Sequence, residues 1–430
     1  MKLTIEKIVY GGNGLAYRSD PDSARTVFVP LTLPGEVVEA RITKQAANFS
    51  EAELETVIQA SKSRVVPRCV HFGACGGCQY QHASYTTQLE LKQEILRETL
   101  QHAGLDALPY IEVKAADSWE YRNRIRLRVG EFDGRMRVGY LRRGSTEFLP
   151  VQMCPIAAPL LWRAAETLIE LTGDAAAWVR AAEEVEFFAT PDDGALQMTI
   201  FVRRPVKDFV GFCEILQKKL PELVGAGVAV LESSGHGRKT VRLRMGSTWG
   251  ASGVNYTVRD ESYWVSRGGF FQVNRYMLDS LVDLVTKGRS GHLAWDLYAG
   301  VGLFSRVLTK SFDQVVAVEA AAEDLLRTFR GKGLRGIAST TVTFLRQAAL
   351  ERERPELVVV DPPRAGLGSE VCSLLTRIKP DEMVYVSCDP VTLGRDLLAM
   401  VDSGYKLHEL HMVDMFPQTF HQETVAVLRR

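Results

Sequence analysis

The residue best placed to do chemistry is Cys388. It ends the apolar run Met383-Val384-Tyr385-Val386-Ser387 and is followed by Asp389-Pro390. A cysteine at the carboxyl end of a buried parallel strand stands where open α/β sheets gather their ligands and reactive groups. Two other stretches point to the same edge. Leu357-Val358-Val359-Val360 runs into Asp361-Pro362-Pro363-Arg364, and His421-Gln422-Glu423 precedes the apolar run from Thr424 to Leu428. Cys388 reads as a nucleophile and Glu423 as a base. Cysteine is also a common small core residue, and Cys213 and Cys372 read that way. Asp361 has a plain alternative as a helix cap, but its place beside a ligand pocket favours binding.

The pocket is announced by Gly291-His292-Leu293-Ala294-Trp295-Asp296-Leu297-Tyr298-Ala299-Gly300-Val301-Gly302, a strand entering a Gly-x-Gly turn. The next strand, Gln314 to Val318, ends in Glu319, 23 residues after Asp296. An acid there suits a ribose diol. Ser305 replaces the third glycine of the dinucleotide fingerprint, so the turn need not hold a pyrophosphate, and S-adenosylmethionine fits better than NAD. A methyl donor beside a nucleophilic cysteine suggests methylation of a carbon that is a poor nucleophile by itself, such as C5 of a pyrimidine. Thiolate addition at C6 makes C5 nucleophilic, and a carboxylate then removes the C5 proton. The target base must leave its stack, and Phe270-Phe271-Gln272-Val273-Asn274 supplies aromatic and amide groups for it.

A second constellation is Cys69, Cys75 and Cys78, three cysteines within ten residues among glycines, with Cys154-Pro155 later. This spacing reads as a metal or cluster site. A 4Fe–4S cluster held by Cys69, Cys75, Cys78 and Cys154 is favoured, because four thiolates are its usual complement and Cys-Pro is familiar in ferredoxin-type sequences. Four-cysteine zinc is the alternative. His71 reads as a supporting or packing residue.

The elements that must position these groups follow. At 430 residues the chain is expected to form about three domains at roughly 150 residues each. Residues 1–62 read as short strands separated by Gly, Asn and Asp turns, a small all-β barrel of a kind that often binds oligonucleotides. Leu89, Leu91, Ile95, Leu96 and Leu100 mark a helix over 85–103 with Gly104 as its stop. Tyr121 to Val129 alternates strictly, putting Arg122, Arg124, Arg126 and Arg128 on one strand face. Arg135, Arg137, Arg142 and Arg143 follow, with only Glu131 and Asp133 as nearby offsets. Arg238, Lys239, Arg242, Arg244 and Arg259 form a second run. Clustered arginines suggest phosphate contact, although Lys plus Arg equals Asp plus Glu at 52 each. From about residue 260, strands and helices alternate as in a doubly wound sheet. The amino terminus lacks the apolar stretch of a signal peptide and no run is long enough to span a membrane, so a cytoplasmic protein is expected. No obligate protein partner is indicated.

Phe270 to Asn274, Asp361 to Arg364, Ser387 to Pro390 and His421 to Ala426 together resemble the ordered motifs of the RNA 5-methyluridine methyltransferases. The first 62 residues resemble a TRAM domain, and the cysteine loop with Cys154 resembles the cluster site of the ribosomal RNA members. The resemblance covers nearly the whole chain. It implies a Rossmann-like α/β methyltransferase domain at 259–430, a TRAM-like barrel at 1–62 and a mixed α/β central domain at 63–258, with the 85–103 helix packed on the catalytic domain. It further implies Cys388 as nucleophile, Glu423 as base, and Gln272, Tyr298, Glu319 and Asp361 as S-adenosylmethionine contacts. Leu303 departs from the polar residue common after Gly-x-Gly, and 343–348 lacks the usual Asn or Asp near the adenine. The expected substrate is one uridine of 23S ribosomal RNA, with transfer RNA as the alternative and cytosine as a lesser variant. Two other classes compete. A radical iron–sulfur enzyme needs an open iron site, which a fourth cysteine would close. An RNA-binding protein with an inactive catalytic domain sits poorly with an intact Cys388 and Glu423.

Overall fold

The computed structural model describes residues 1–18, 26–233 and 241–430. Arg238 and Lys239 of the second basic run lie outside the described residues. The amino-terminal strands are Lys2–Thr4, Lys7–Ile8, Asn13–Tyr17, Thr26–Pro30, Val37–Gln45 and Phe49–Gln59. They form one six-stranded sheet in which the first strand pairs with Val37–Gln45 and the second with Asn13–Tyr17. Because those two partners lie toward opposite ends of the sheet and the first two strands are one short run, the sheet curls onto itself. Alternation does the rest: Leu3, Ile5, Ala16, Val27, Val29, Val38 and Ala40 turn inward and are buried.

The central sheet orders its strands Phe148–Pro150, Arg135–Leu141, Arg124–Phe132, Ala182–Ala189, Leu196–Val202, Leu223–Ser233 and Val241–Gly250. Ile125, Leu127 and Val129 face a core completed by the helices Pro159–Ile169 and Phe209–Lys219. The arginine face differs from expectation. Arg124 pairs with Glu186 at 3.2 Å, Arg128 with Glu184 at 3.0 Å, and Arg126 also with Glu184. These glutamates stand on the antiparallel neighbour Ala182–Ala189, so the offsetting charges are more than fifty residues away in sequence and were missed by counting local acids. Arg142, Arg244 and Arg259 are likewise paired, with Glu147, Glu232 and Asp283. Arg122 precedes the strand and turns toward the cysteines.

The third sheet runs Leu334–Ala338, Phe312–Glu319, Gly291–Leu297, Leu357–Val360, Glu382–Ser387, Glu423–Arg429, Lys406–Val413 and Ile111–Lys114. Its first five strands are parallel, and Glu423–Arg429 inserts antiparallel between Glu382–Ser387 and Lys406–Val413. The edge strand Ile111–Lys114 pairs parallel with Lys406–Val413. The helix Tyr85–His102 is capped by Ser84 Oγ, which accepts from Thr87 N at 3.3 Å. Leu96 and Leu100 bury into the same core as Leu393 and Leu397 of the helix Pro390–Asp402. The helix that the resemblance set against the catalytic domain packs on this core, and the strand Ile111–Lys114, within the segment assigned from sequence to the central domain, joins the third sheet as well. The helix's leucine stripe required a partner, but a four-residue strand carries too little periodicity to name its sheet. The hairpin Gly253–Val258 and Glu261–Ser266 forms a separate two-stranded sheet before the parallel strands begin. No helix among the described residues is long and apolar enough to cross a membrane.

Candidate active site

The register Ser387↔Thr424 brings the residues just beyond each partner, Cys388 and Glu423, to the same end of two adjacent strands. Cys388 is half-buried and Glu423 is 3% exposed. The strand carrying Cys388 stops because Asp389 begins a helix: its Oδ1 accepts from Val391 N at 3.0 Å and Thr392 N at 3.1 Å. Its Oδ2 accepts from the Tyr10 hydroxyl at 3.1 Å, so the amino-terminal sheet reaches the residue next to Cys388. Nothing in the sequence signalled Tyr10.

The electrostatics are those of acids crowded into an enclosed site. Burial, then the Glu423 carboxylate, pushes the Cys388 thiol up to about 11, while Arg364 opposes the rise. Burial and the neighbouring Asp361 hold the Glu423 carboxyl well above the ordinary range. Asp361 is itself pushed up to about 7 by burial and the Asp296 charge, and it accepts a long hydrogen bond from Gln272 Nε2 at 3.4 Å. Burial and the Arg364 charge push His421 down to about 4, which leaves it neutral near pH 7. Arg364 Nη2 lies 3.5 Å from His421 Nδ1. Phe270, one of the aromatics expected near a displaced base, is 74% exposed, whereas Phe271 is buried against Tyr256 and Tyr263.

The expected donor contacts fall into two groups. Gln272 and Asp361 meet directly, as above. Tyr298 opens the Gly-x-Gly turn, and Glu319, at the end of the next strand, accepts from Gly300 N at 3.0 Å and Ala321 N at 2.9 Å. Tyr298, Gly300 and Gly302 all have positive φ, at 63°, 56° and 86°, and a Cβ on Gly302 would lie 3.0 Å from Leu325 Cδ1. Ser305 earns its place in the turn: its N–H, at 2.9 Å, and its hydroxyl both donate to Asp296 Oδ2. The other oxygen, Asp296 Oδ1, is buried without a hydrogen-bond partner among the described residues, and burial pushes this acid up to about 7. A buried orphan acceptor beside a left-handed turn is suited to a ligand that brings a donor group or a positive charge. Leu303 is buried in the core and its carbonyl accepts from Tyr263 Oη at 3.0 Å, so that departure serves packing. Within 343–348, Phe344 stacks edge-on to Trp295 at 4.9 Å.

Cys69, Cys75, Cys78 and Cys154 line one cavity of about 90 Å³ together with His71, Tyr140 and Arg122. Among the described residues no three His, Cys, Asp or Glu side chains converge as a single metal ion requires. The thiols surround a space instead. Burial pushes Cys69, Cys75 and Cys78 upward, Cys78 to about 12, with Cys154 adding to each. Tyr140 Oη donates to Cys154 Sγ at 3.5 Å and Gly77 N to Cys75 Sγ at 3.4 Å. Arg122 Nε is buried with no hydrogen-bond partner among the described residues. A buried guanidinium beside four thiols suits an anionic occupant. His71 Nε2 accepts from Gln152 N at 2.9 Å. Cys213 and Cys372 are buried core residues away from this cavity.

A glycine-turn sheet in this strand order, with a cysteine and a carboxyl at its carboxyl edge, defines an S-adenosylmethionine-dependent methyltransferase. The family model for tRNA (Uracil-5-)-methyltransferase matches residues 84–329 and 337–430, and the chain belongs to that family. It is an S-adenosylmethionine-dependent RNA (uracil-5-)-methyltransferase. A TRAM domain model matches residues 1–54. An "Uncharacterized RNA methyltransferase" of Aquifex aeolicus is 33% identical over 441 aligned residues, covering 100% of this chain and 98% of that relative. The "23S rRNA (uracil(1939)-C(5))-methyltransferase RlmD" of Halomonas elongata is 31% identical over 99% of this chain and 89% of its own. The crystal structure of Pyrococcus abyssi tRNA (uracil-54, C5)-methyltransferase in complex with S-adenosyl-L-homocysteine shares the fold, at a TM-score of 0.75, 21% identity and full coverage of both chains.

Proposed function

We propose that this enzyme methylates C5 of one uridine in 23S ribosomal RNA, with Cys388 as nucleophile and Glu423 as base. The observation that carries the reaction is the pairing of a thiol and a buried carboxyl at the ends of adjacent strands. The choice of ribosomal RNA rests on similarity to the Halomonas elongata relative. S-adenosylmethionine, when bound, supplies the methyl group from its sulfonium centre. Gln272, Tyr298, Glu319 and Asp361 hold it, and Asp296 Oδ1 offers a further acceptor.

The Cys388 thiolate adds to C6 of the uracil, forming the S–C6 bond and moving the electron pair to C5, which takes the methyl group. Glu423 then removes the C5 proton, and the C5–H electrons re-form the C5–C6 double bond as the thiolate leaves. An unprotonated Glu423 is required for that step, and Arg364 is the charge that favours it. Enclosure of both groups strengthens each electrostatic contact in the pocket. The TRAM-like part (1–62) and the central part (63–258) hold the RNA for the methyltransferase part (259–430), with selectivity from RNA shape and splayed bases. The enzyme works in the cytoplasm.

Under the same reading Cys69, Cys75, Cys78 and Cys154 hold a 4Fe–4S cluster. Supporting this, the four thiols border one cavity larger than a single ion needs, with Arg122 to balance negative charge. The reaction is tested with 5-fluorouridine RNA, whose C5 carries no removable proton. A covalent RNA–protein complex that requires S-adenosylmethionine and is lost in Cys388→Ala is expected. Turnover by Cys388→Ala would overturn the mechanism.

A further inference from the structure

The segment that delivers Glu423, residues 414–422, runs between two strands of the catalytic sheet, yet most of its anchors come from outside that sheet. One anchor is the cysteine loop itself. Gln79 N and Tyr80 N, immediately after Cys78, both donate to Gln418 O at 3.0 Å. The Gln79 side chain spans the gap: its Nε2 donates to Gly76 O at 3.0 Å, between Cys75 and Cys78, and its Oε1 accepts from Phe420 N at 3.3 Å. Phe420 is three residues before Glu423.

Three further observations give this strut work to do. Gln418 sits at φ 69°, a left-handed conformation costly for a residue with a side chain, so the segment keeps its shape only while its surroundings hold it. Gln88 of the Tyr85–His102 helix clasps the same residue, donating to Gln418 Oε1 at 2.9 Å and accepting from Gln418 N at 3.0 Å. Gly12 of the amino-terminal sheet abuts both ends of the contact, since a Cβ there would lie 3.1 Å from Gln79 Cβ and 3.4 Å from Phe420 Cβ.

We propose that Gln79 is a positioning residue for the methyl-transfer reaction, tying the backbone between Cys75 and Cys78 to the segment that places Glu423, so that the state of the four-thiol loop sets the placement of the base. This rests on Glu423 acting as the base. A carboxylate misplaced by a fraction of an ångström loses rate without loss of substrate affinity.

The test uses the full chain with its metal or cluster content measured. Gln79→Leu removes both side-chain bonds at similar volume, and Gln79→Glu keeps the acceptor for Phe420 N–H but loses the donor to Gly76. Gln79→Leu is expected to lower kcat about ten-fold, the factor one to two hydrogen bonds supply, with KM for RNA and donor within about two-fold of wild type. Gln79→Glu is expected to fall between. Hydrogen exchange of residues 419–423 should quicken about ten-fold in Gln79→Leu by the same bond count. Stripping the thiol site of wild type with chelator should quicken exchange over the same residues and add little in Gln79→Leu. Unchanged exchange at 419–423 in both the variant and stripped wild type would overturn the proposal. Wild-type protein that shows this coupling but methylates no RNA would overturn the proposed reaction and leave the structural link standing.

Discussion

Lys92 and Asp414 form an ion pair whose side chains are both 0% exposed. Lys92 Nζ donates to Asp414 Oδ1 at 2.6 Å and to Phe416 O at 3.0 Å, while the Tyr85 hydroxyl donates to Asp414 Oδ2 at 2.9 Å. Lys92→Met preserves most of the stem's packing and removes the charge. Asp414 then keeps one donor instead of two and has no enclosed cation beside it, and Phe416 O loses the lysine while keeping the Thr419 hydroxyl at 2.9 Å. Breaking a buried pair in this way costs about 3–5 kcal/mol, a large share of the roughly 5–15 kcal/mol that holds a domain folded. Lys92→Met combined with Asp414→Asn removes the stranded charge and is expected to recover more than half of the loss. The assay is urea unfolding of the full chain followed by circular dichroism and tryptophan fluorescence, with slopes compared so that midpoints report stability. A single variant within about 1 kcal/mol of wild type, or a double variant no better than the single, would refute the reasoning.

Three further outcomes are expected. Asp361 is raised to about 7, so its stabilising effect is fully present below the unfolded carboxylate range and is lost as pH rises from about 4 toward 7. Asp361→Asn should therefore stabilise the protein more at pH 8 than at pH 5, by on the order of 1–2 kcal/mol in denaturation measurements, and an equal effect at both pH values would refute the assignment. Glu423→Gln should still form the Cys388–RNA bond and transfer methyl but release product at least about a hundred-fold more slowly, leaving a covalent complex visible on denaturing gels. Gln422 has both amide atoms buried without partners among the described residues; Gln422→Met should raise stability by about 1 kcal/mol, and a loss in thermal unfolding would show that the amide is bonded.

What could be read from the sequence follows the range of the physical signal. Cys388, Asp361 and Glu423 stand out because each interrupts an apolar run, a local pattern that also fixes their position at a strand end. The Gly-x-Gly turn is legible because only a few residues tolerate its positive φ. What depended on distant pairing was not legible. The glutamates that neutralise Arg124, Arg126 and Arg128 sit on a strand far along the chain, so local counting overstated the free charge of that face. The joining of Ile111–Lys114 to the catalytic sheet depends on the Lys406–Val413 strand some 300 residues later. Tyr10 and Gln79 lie in stretches whose own patterning describes a small β unit and a cysteine loop. Their contacts with Asp389 and Phe420 come only from how the parts dock.

The most direct measurement is to incubate the purified protein with S-adenosylmethionine and unmodified 23S ribosomal RNA or total transfer RNA, then map new 5-methyluridine by nucleoside and fragment mass spectrometry. The account predicts a single modified uridine in 23S ribosomal RNA, absent with Cys388→Ala. Modification confined to transfer RNA, or methylation that persists in Cys388→Ala, would contradict it.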